Sequence, residues 1–332
     1  MPVLYLNEYK KNLAHKTIFI ACREGVLRNF FQQIVSDIKF LYRQQVKTFF
    51  FHNISNRFAN KKIFRDLESR LYQTQIVRVP SDQPFYPFVL NYPESPHKIL
   101  FIERSHLLDP KGQAVNTLTT QKVREQIDSY RDIISNENLK EHMVSICHKI
   151  ESQSIERIHI IPAGKRCIKN ELFSLEGSGT LIANNFNETF HRIATESDIR
   201  IISSILKHYR GEGYLKPRDK AYVTKNKDCF YVARIDDIIV GCAEQIAIDK
   251  NTIELGSLAV SVRFRKQQLG QFIIHEFEKE MIRQGIDTII SLTRNPLLQH
   301  IFRHMGYIAD KPANYAKRLE QSPDAEMFIK YL

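Results

Sequence analysis

The sequence predicts an α/β protein with two domains in tandem, and three observations support this. Its 332 residues, 43% of them hydrophobic, exceed what one domain typically needs. In the first half, a β-branched strand at 16–22, a helix at 26–45 and a strand at 46–52 follow one another with the spacing of a parallel βαβ unit. In the second half, strands at 229–234 and 238–248 are joined at Asp236 and Asp237, which predicts an antiparallel hairpin.

The rest of the first half continues the same alternation. Strands are predicted at 97–103 and 156–161, and between them lie helices at 119–127 and 138–150. An Asn-rich polar stretch at 183–189 then separates the halves. We therefore expect domains at 1–183 and 190–332.

The second half contains the stretch on which a functional prediction depends. A buried strand at 252–262 leads into the basic loop 263–269, which has no acidic residue, and a helix follows from about Gly270. The N-terminus of a helix presents unpaired amides and the positive end of the helix dipole. This stretch therefore predicts a site for a phosphate-bearing ligand, and a solvated connection between strand and helix is the alternative.

After this helix come a strand at 286–292 and a short helix at 297–307 that ends at Gly306. The order of strand, basic loop, helix, strand and helix resembles the GNAT superfamily of acetyltransferases, in which the loop holds the pyrophosphate of acetyl-CoA. Arg265, Gln268 and Gly270 stand at the matching places of the loop motif, with Gln268 where the family has a glycine. The backbone there must therefore adopt φ values open to Gln. The resemblance implies these acetyl-CoA contacts: Leu258, Ala259, Val260, Arg265, Lys266, Gln267, Gln268, Leu269 and Gly270.

The first half carries a second resemblance, most specific over residues 157–182. Arg157, His159, Glu171, Gly177 and Gly179 stand as they do in the amino-acid-kinase-like domain of N-acetylglutamate synthases and kinases. With both halves taken together, the chain resembles the bacterial N-acetylglutamate synthase family. The resemblance implies an N-terminal parallel αβα sandwich and a C-terminal mixed-sheet GNAT domain.

The kinase-like half departs from the family's pattern. The glycine-rich turns that hold phosphate in the kinases are replaced by residues 22–25 (CREG) and 52–55 (HNIS), and the segment from 52 to 97 is short. We therefore expect a truncated, degenerate domain without phosphoryl transfer. In the synthases this domain serves oligomerisation and arginine feedback, which implies a homo-oligomer and a possible arginine site at Glu171 and Gly177. The alternative, a helix and turn kept for packing, stays open.

Two residues are implied as the catalytic pair. Glu254, on the strand expected to line the cleft, matches the general base of the synthases; on its own, a Glu in a strand is commonly a solvated outward residue. Phe302 stands where many GNAT enzymes have a proton-donating Tyr, so the hydroxyl of Thr293 is the expected general acid. Thr293 could instead cap the following helix.

The acceptor is expected to be L-glutamate, whose two carboxylates need fixed cations. Arg218 matches an arginine of the synthases, and Lys220 stands in place of a second one. The synthases also have an Arg and a Ser just before the last strand, and here Arg318 and Ser322 could serve, at a spacing shifted from the family's. Solvated loop charges are the alternative reading of these positions.

Composition limits the other partners. The net charge of +11 comes from dispersed residues without an arginine-rich tract, so anionic small molecules account for it and no nucleic-acid partner is predicted. There is no apolar run of about 20 residues and no signal-peptide core, which favours a cytoplasmic protein without a membrane partner. The five cysteines lack metal-ligand spacing, so reduced thiols and no metal are expected.

The sequence thus predicts an acetyl-CoA-dependent amino-acid N-acetyltransferase. The resemblance implies that it makes N-acetyl-L-glutamate for arginine synthesis by direct transfer in a ternary complex. Two alternatives remain: acetylation of a different amine, and a catalytically idle subunit for arginine sensing or scaffolding.

Overall fold

A computed structural model describes residues 2–55, 60–109, 111–131, 139 and 141–332, without the side chains of 61 and 126–131. The chain forms two compact units, Met1–Phe186 and Asn187–Leu332. Each unit has its own seven-stranded sheet. Among the described residues, no helix combines the length and apolar character that crossing a bilayer requires.

The first unit is a helix-covered, mostly parallel sheet. Its strands lie in the order β3-β2-β1-β4-β6-β7-β5, and only the β6–β7 pair is antiparallel. The strands are β1 (Thr17–Cys22), β2 (Lys47–His52), β3 (Gln75–Arg78), β4 (Lys98–Glu103), β5 (Thr117–Thr119), β6 (Arg157–Pro162) and β7 (Thr180–Ala183). The helices are α1 (Leu6–Leu13), α2 (Glu24–Arg43), α3 (Lys61–Arg70), α4 (Phe85–Leu90), α5 (Thr120–Arg131), α6 (Met143–Glu151) and α7 (Cys167–Phe173).

The predicted fold class of this unit is confirmed, and the four predicted strands are present. Strands β1, β2 and β4 are buried almost throughout, as the near-continuous apolar runs of a sheet covered on both faces require. The prediction missed β3, β5 and β7, which have only three or four residues and show no usable periodicity. Residue 138, where a helix was expected to begin, lies outside the described residues.

The turns after β1 and β2 are joined by direct contacts. Glu24 accepts a hydrogen bond from the amide of Ser55 (2.9 Å) and forms an ion pair with Arg28, and its own amide donates to the side chain of Asn53 (2.8 Å). Burial favours the neutral acid, but the bonds from Ser55 and Arg28 outweigh it and lower the pKa of Glu24. A carboxylate therefore occupies the place where the family's kinases have a glycine-rich turn.

Glu171 and Gly177 belong to a tightly packed turn. The Glu171 carboxylate is 2% exposed and accepts hydrogen bonds from the amides of Ser178 (2.7 Å) and Gly179 (2.9 Å), and it contacts Nδ1 of His159. Gly177 has a φ of 68°, which favours glycine. These contacts support the packing alternative for Glu171 and Gly177 rather than the arginine site, because the carboxylate already serves the chain's own groups.

The second unit is a mixed sheet with the strand order β13-β14-β12-β11-β10-β9-β8, in which only β11 and β12 are parallel. The strands are β8 (Thr189–Arg192), β9 (Phe230–Ile235), β10 (Ile238–Ala247), β11 (Thr252–Val260), β12 (Thr288–Thr293), β13 (Ile308–Ala309) and β14 (Glu326–Tyr331). The helices are α8 (Glu196–Gly211), α9 (Lys220–Lys225), α10 (Leu269–Arg283), α11 (Pro296–His304) and α12 (Ala316–Glu320).

The predicted hairpin turn is present in this unit, and a capped helix precedes it. Asp236 and Asp237 both have positive φ (50° and 61°) in the turn between β9 and β10, as a tight hairpin turn requires. Thr195 caps α8, and Asp198 completes a capping box. The mixed sheet expected from the sequence is confirmed.

His52, at the end of β2, is a buried titratable group in the first unit. Its side chain is 1% exposed, and Nδ1 accepts a hydrogen bond from the amide of Ile54 (3.2 Å), which requires that nitrogen to be deprotonated. Burial, followed by the charge of Arg78, lowers its pKa to about 4. The neutral ring is therefore part of the folded state.

This pKa predicts a loss of stability in mild acid. The unfolded chain binds the proton at about pH 6.5, so the stabilisation is complete above that pH and is lost as the pH falls towards 4. Between pH 7 and pH 5, the free energy of unfolding measured with urea should fall by about 2 kcal/mol more for the wild type than for His52→Gln. The control His15→Asn, at an exposed site, should behave as wild type. Equal losses in wild type and His52→Gln would refute this assignment.

Candidate active site

The two parallel strands of the second unit separate soon after they begin to pair. Register partners join β11 to β12 at only three positions, from Thr252↔Thr288 to Glu254↔Ile290. Beyond them, Ser257 has a φ of 48° and the β10–β11 register shifts by one residue, which marks a bulge that bends β11. A gap therefore opens between β11 and β12 beside Glu254.

The gap leads into a cavity of about 260 Å³. Six of the residues predicted for the site line it: Arg218, Glu254, Leu258, Thr293, Arg318 and Ser322. They come from β11, β12, the segment before α9, and the segment from α12 to β14. The structure thus brings the predicted catalytic pair and most of the predicted acceptor residues to one place.

Glu254 and Arg318 form a two-bond ion pair at this cavity. Arg318 Nη2 donates to Glu254 Oε1 (2.8 Å) and Arg318 Nε donates to Oε2 (2.5 Å). The side chains are 5% and 18% exposed, so the pair is largely shielded from water. Tyr315 and Leu319, which flank Arg318 in the sequence, pack on the sheet core around Ile290. Glu254 is therefore not the solvated residue of the alternative reading.

Arg218 is held by a buried carboxylate that sequence reasoning missed. Glu244, on β10, is 1% exposed and accepts hydrogen bonds from Arg218 Nε (3.2 Å), Tyr222 (2.5 Å) and Ser257 (2.5 Å). Burial, and then the bond to Glu244, raises the pKa of Tyr222 to about 12. A charge within the apolar run of β10 was the available signal, since a buried Glu needs a cationic partner.

The cations of the cavity differ partly from those expected. Lys220 is exposed at the start of α9 and does not line the cavity, whereas Lys216 and Arg294 do. Lys216 donates to the carbonyl of Gln321 (2.7 Å). Its pKa is lowered by burial and then by the nearby charge of Arg318. Arg294 pairs with Asp324, which also lines the cavity (3.7 Å). The cationic residues that line the cavity still outnumber the acidic ones, Glu254 and Asp324, which suits an anionic ligand.

Thr293 ends β12 at the cavity wall and is 8% exposed. Its hydroxyl oxygen accepts a hydrogen bond from the amide of Asn295 (3.1 Å), which leaves its proton for another acceptor. The alternative role as a helix cap is wrong, because Asn295 caps α11 and Pro296 occupies the first turn. Phe302 is fully buried against Tyr307 and Phe328.

The basic loop keeps a glycine-like backbone without the glycine. Gln268 precedes α10 with φ 59° and ψ 7°, and Lys266 also has a positive φ. This left-handed conformation costs a non-glycine residue about 1–2 kcal/mol. Because α10 begins at Leu269, the helix itself cannot supply partners for the amides of Leu269 and Gly270.

The side chain of Arg265 is engaged within the unit. It forms an ion pair with Glu212 (3.0 Å) and contacts the hydroxyl of Tyr209 (3.3 Å), which in turn donates to the carbonyl of Val260 (2.8 Å). The loop residues 265–270 and the strand residues Ala259 and Val260 do not line the cavity. The predicted phosphate contacts of this loop therefore depend on main-chain amides more than on Arg265.

Comparison with known proteins agrees with this geometry. Residues 199–307 match the acetyltransferase (GNAT) family, so the second unit carries the fold of that class. The amino-acid acetyltransferase of Aeromonas salmonicida is 23% identical over 217 residues, which are 63% of this chain and 47% of the relative. That of Ralstonia nicotianae is 25% identical over 214 residues, 64% of this chain and 46% of the relative. The chain thus spans about half the length of the curated relatives it matches.

A solved structure covers both units. The crystal structure of N-acetylglutamate synthase from Neisseria gonorrhoeae, complexed with coenzyme A and L-arginine, aligns with 98% of this chain and 97% of its own at a TM-score of 0.54 and 13% identity. At that identity the likeness shows the fold. The resemblance expected from the sequence is confirmed in its fold and in its sequence relatives.

The buried Glu244 cluster predicts a large stability effect. Glu244→Ala leaves Arg218 without its carboxylate and should lower the free energy of unfolding by about 3 kcal/mol. Glu326 forms a more exposed ion pair with Arg303 outside the cavity, and Glu326→Ala should cost about 0–1 kcal/mol. Urea unfolding at pH 7 measures both. A Glu244→Ala loss no larger than that of Glu326→Ala would contradict the account.

Proposed function

We propose that this protein is an acetyl-CoA-dependent amino-acid N-acetyltransferase that acts on the α-amine of L-glutamate. The observation that carries the proposal is the gap between β11 and β12. Glu254, Arg318 and Thr293 line the cavity at this gap, and the 265–270 loop follows the end of β11. The similarity to amino-acid acetyltransferases and to an N-acetylglutamate synthase structure supports it.

The donor would lie along the gap. Beyond Glu254, β11 has no register partner on β12, although the Ser291 hydroxyl donates to the Leu255 carbonyl (2.9 Å). The main-chain groups of β11 beyond Leu255 can bind an extended chain of peptide-like groups, such as pantetheine. The amides of Leu269 and Gly270 at the start of α10 would hold the pyrophosphate. Gln268 supports this arrangement because it adopts the backbone conformation that the family's glycine provides.

The acceptor would occupy the cationic cavity. L-glutamate carries two carboxylates, and Arg318, Lys216 and Arg218 line the cavity with charges that match them. The amine must lose a proton before it attacks the thioester carbonyl, and Glu254 is the carboxylate placed to take that proton. As the N–C bond forms and the C–S bond breaks, the leaving thiolate takes a proton from the Thr293 hydroxyl. Solvent water accepts the second proton of the nitrogen and restores the proton of Thr293.

The cysteines support direct transfer instead of an acetyl-enzyme. Among the described residues no cysteine lines the cavity. Cys242 is fully buried on β10, and burial raises the pKa of its thiol, which opposes thiolate formation. A ternary complex of acetyl-CoA and acceptor accounts for the reaction without a covalent intermediate.

For the first unit we propose a role without phosphoryl transfer. Glu24 and its partners Ser55 and Arg28 fill the turn region after β1 and β2, and a carboxylate there repels phosphate. The unit would then serve assembly of a homo-oligomer, as the synthase architecture suggests. Arginine binding would require a site other than the closed turn at Glu171.

The test of the transferase function uses the full chain with acetyl-CoA and a panel of amino acids, with released CoA thiol as the readout. Glutamate should be the preferred acceptor. Glu254→Gln should lower turnover by about 10²-fold or more, because it removes the general base, and should leave coenzyme A affinity by calorimetry unchanged. Glu326→Gln, outside the cavity, should retain wild-type turnover.

Two results would contradict the proposal. Turnover of Glu254→Gln equal to that of the wild type would remove Glu254 from the reaction. Failure of every amine to support CoA release, with arginine still bound by the chain, would favour the idle sensing or scaffolding subunit.

A further inference from the structure

We propose that Glu254 and Arg318 form a latch that the acceptor opens: the acceptor's carboxylate takes Arg318 from Glu254, and this exchange releases the general base. The inference rests on the proposed function and adds a regulatory step to it. In the protein without acceptor, the base is held; only a carboxylate-bearing acceptor frees it.

The geometry makes the two carboxylates competitors. A guanidinium binds one carboxylate through two parallel N–H groups on one edge, and here Nε and Nη2 of Arg318 are both bonded to Glu254. Both oxygens of Glu254 are committed in the same way. An acceptor carboxylate cannot use this edge of Arg318 until Glu254 leaves it.

Burial makes exchange of partners easier than simple opening. The pair is 5% and 18% exposed, and separating it without a substitute would leave two poorly solvated charges. An incoming carboxylate replaces Glu254 at the guanidinium, while the ammonium or amine of the acceptor can face the released Glu254. The two charges are thus compensated before and after the exchange.

Neighbouring groups keep Arg318 in place during the exchange. Its Nη1 donates to the side-chain oxygen of Gln321 (3.1 Å), and the carbonyl of the same residue accepts from Lys216 (2.7 Å). Lys216 lines the cavity with Arg318, and its positive charge attracts an anion to this corner, whereas Arg294 is paired with Asp324 (3.7 Å). The arginine can therefore change its carboxylate partner without leaving the cavity wall.

The latch has a chemical consequence for bound acetyl-CoA. With both oxygens bonded to Arg318, Glu254 is not placed to take a proton from water near the thioester. Once the acceptor is bound, Glu254 takes the amine proton, nitrogen bonds to the carbonyl carbon and the C–S bond breaks. Acetyl transfer to water is suppressed until an acceptor with a carboxylate is present.

Binding of glutarate tests the competition directly, because it has both carboxylates of glutamate and no amine. Calorimetry on the full chain should show that Glu254→Gln binds glutarate on the order of tenfold more tightly than wild type, since the competing charge is gone. The matched control Glu326→Gln, which removes a two-bond partner of Arg303 outside the cavity, should bind as wild type.

The outcomes separate the latch from the transferase function. Equal or weaker glutarate binding by Glu254→Gln overturns the latch and leaves the proposed function standing. Absence of glutarate binding in both proteins overturns the latch together with the proposed acceptor class.

Acetyl-CoA hydrolysis without acceptor gives a second readout. Arg318→Met should hydrolyse acetyl-CoA on the order of tenfold faster than wild type, because Glu254 is released to activate water. The double variant Glu254→Gln/Arg318→Met should return to the wild-type rate. Thermal melting checks that each variant is folded, and a folded Arg318→Met with unchanged hydrolysis overturns the latch.

Discussion

The separation of β11 from β12 is the constraint on which the second unit depends. Two parallel strands that pair at only three positions leave the rest of their facing edges without ladder partners, and such an edge must bind something or be covered. The bulge at Ser257 fixes where β11 bends, and the Ser257 hydroxyl donates a hydrogen bond to the buried carboxylate of Glu244. The cavity is thus a consequence of strand geometry, and its charged residues are arranged around it.

Two buried carboxylates at or beside this cavity are compensated by arginines. Glu254 faces Arg318, and Glu244 faces Arg218. A buried charge is stable only with a partner, so these pairs preserve the folded site in the absence of ligand. Because of this pairing, a charged ligand binds an arginine by displacing the carboxylate paired with it. Lys216 adds the positive charge that attracts an anionic ligand.

Sequence reasoning succeeded where a signal is local and periodic. Alternation, helical spacing and turn chemistry indicate the following features: the strands β10, β11 and β12, the helix α10 and the hairpin turn at Asp236. It could not find β5 or β7, whose few residues carry no periodicity. Sequence reasoning also could not pair Glu254 with Arg318, 64 residues away, or identify Lys216 instead of Lys220 as the lysine that lines the cavity. Both depend on how loops cross the sheet.

Amide hydrogen–deuterium exchange of the full chain, with and without coenzyme A, tests the central claim most directly. The claim is that the open edge of β11 and the start of α10 bind the cofactor through main-chain amides. The account predicts that coenzyme A slows exchange in peptides that cover residues 256–271 and leaves the strands of the first unit unchanged. Unaltered exchange across 256–271 at a saturating coenzyme A concentration would contradict it.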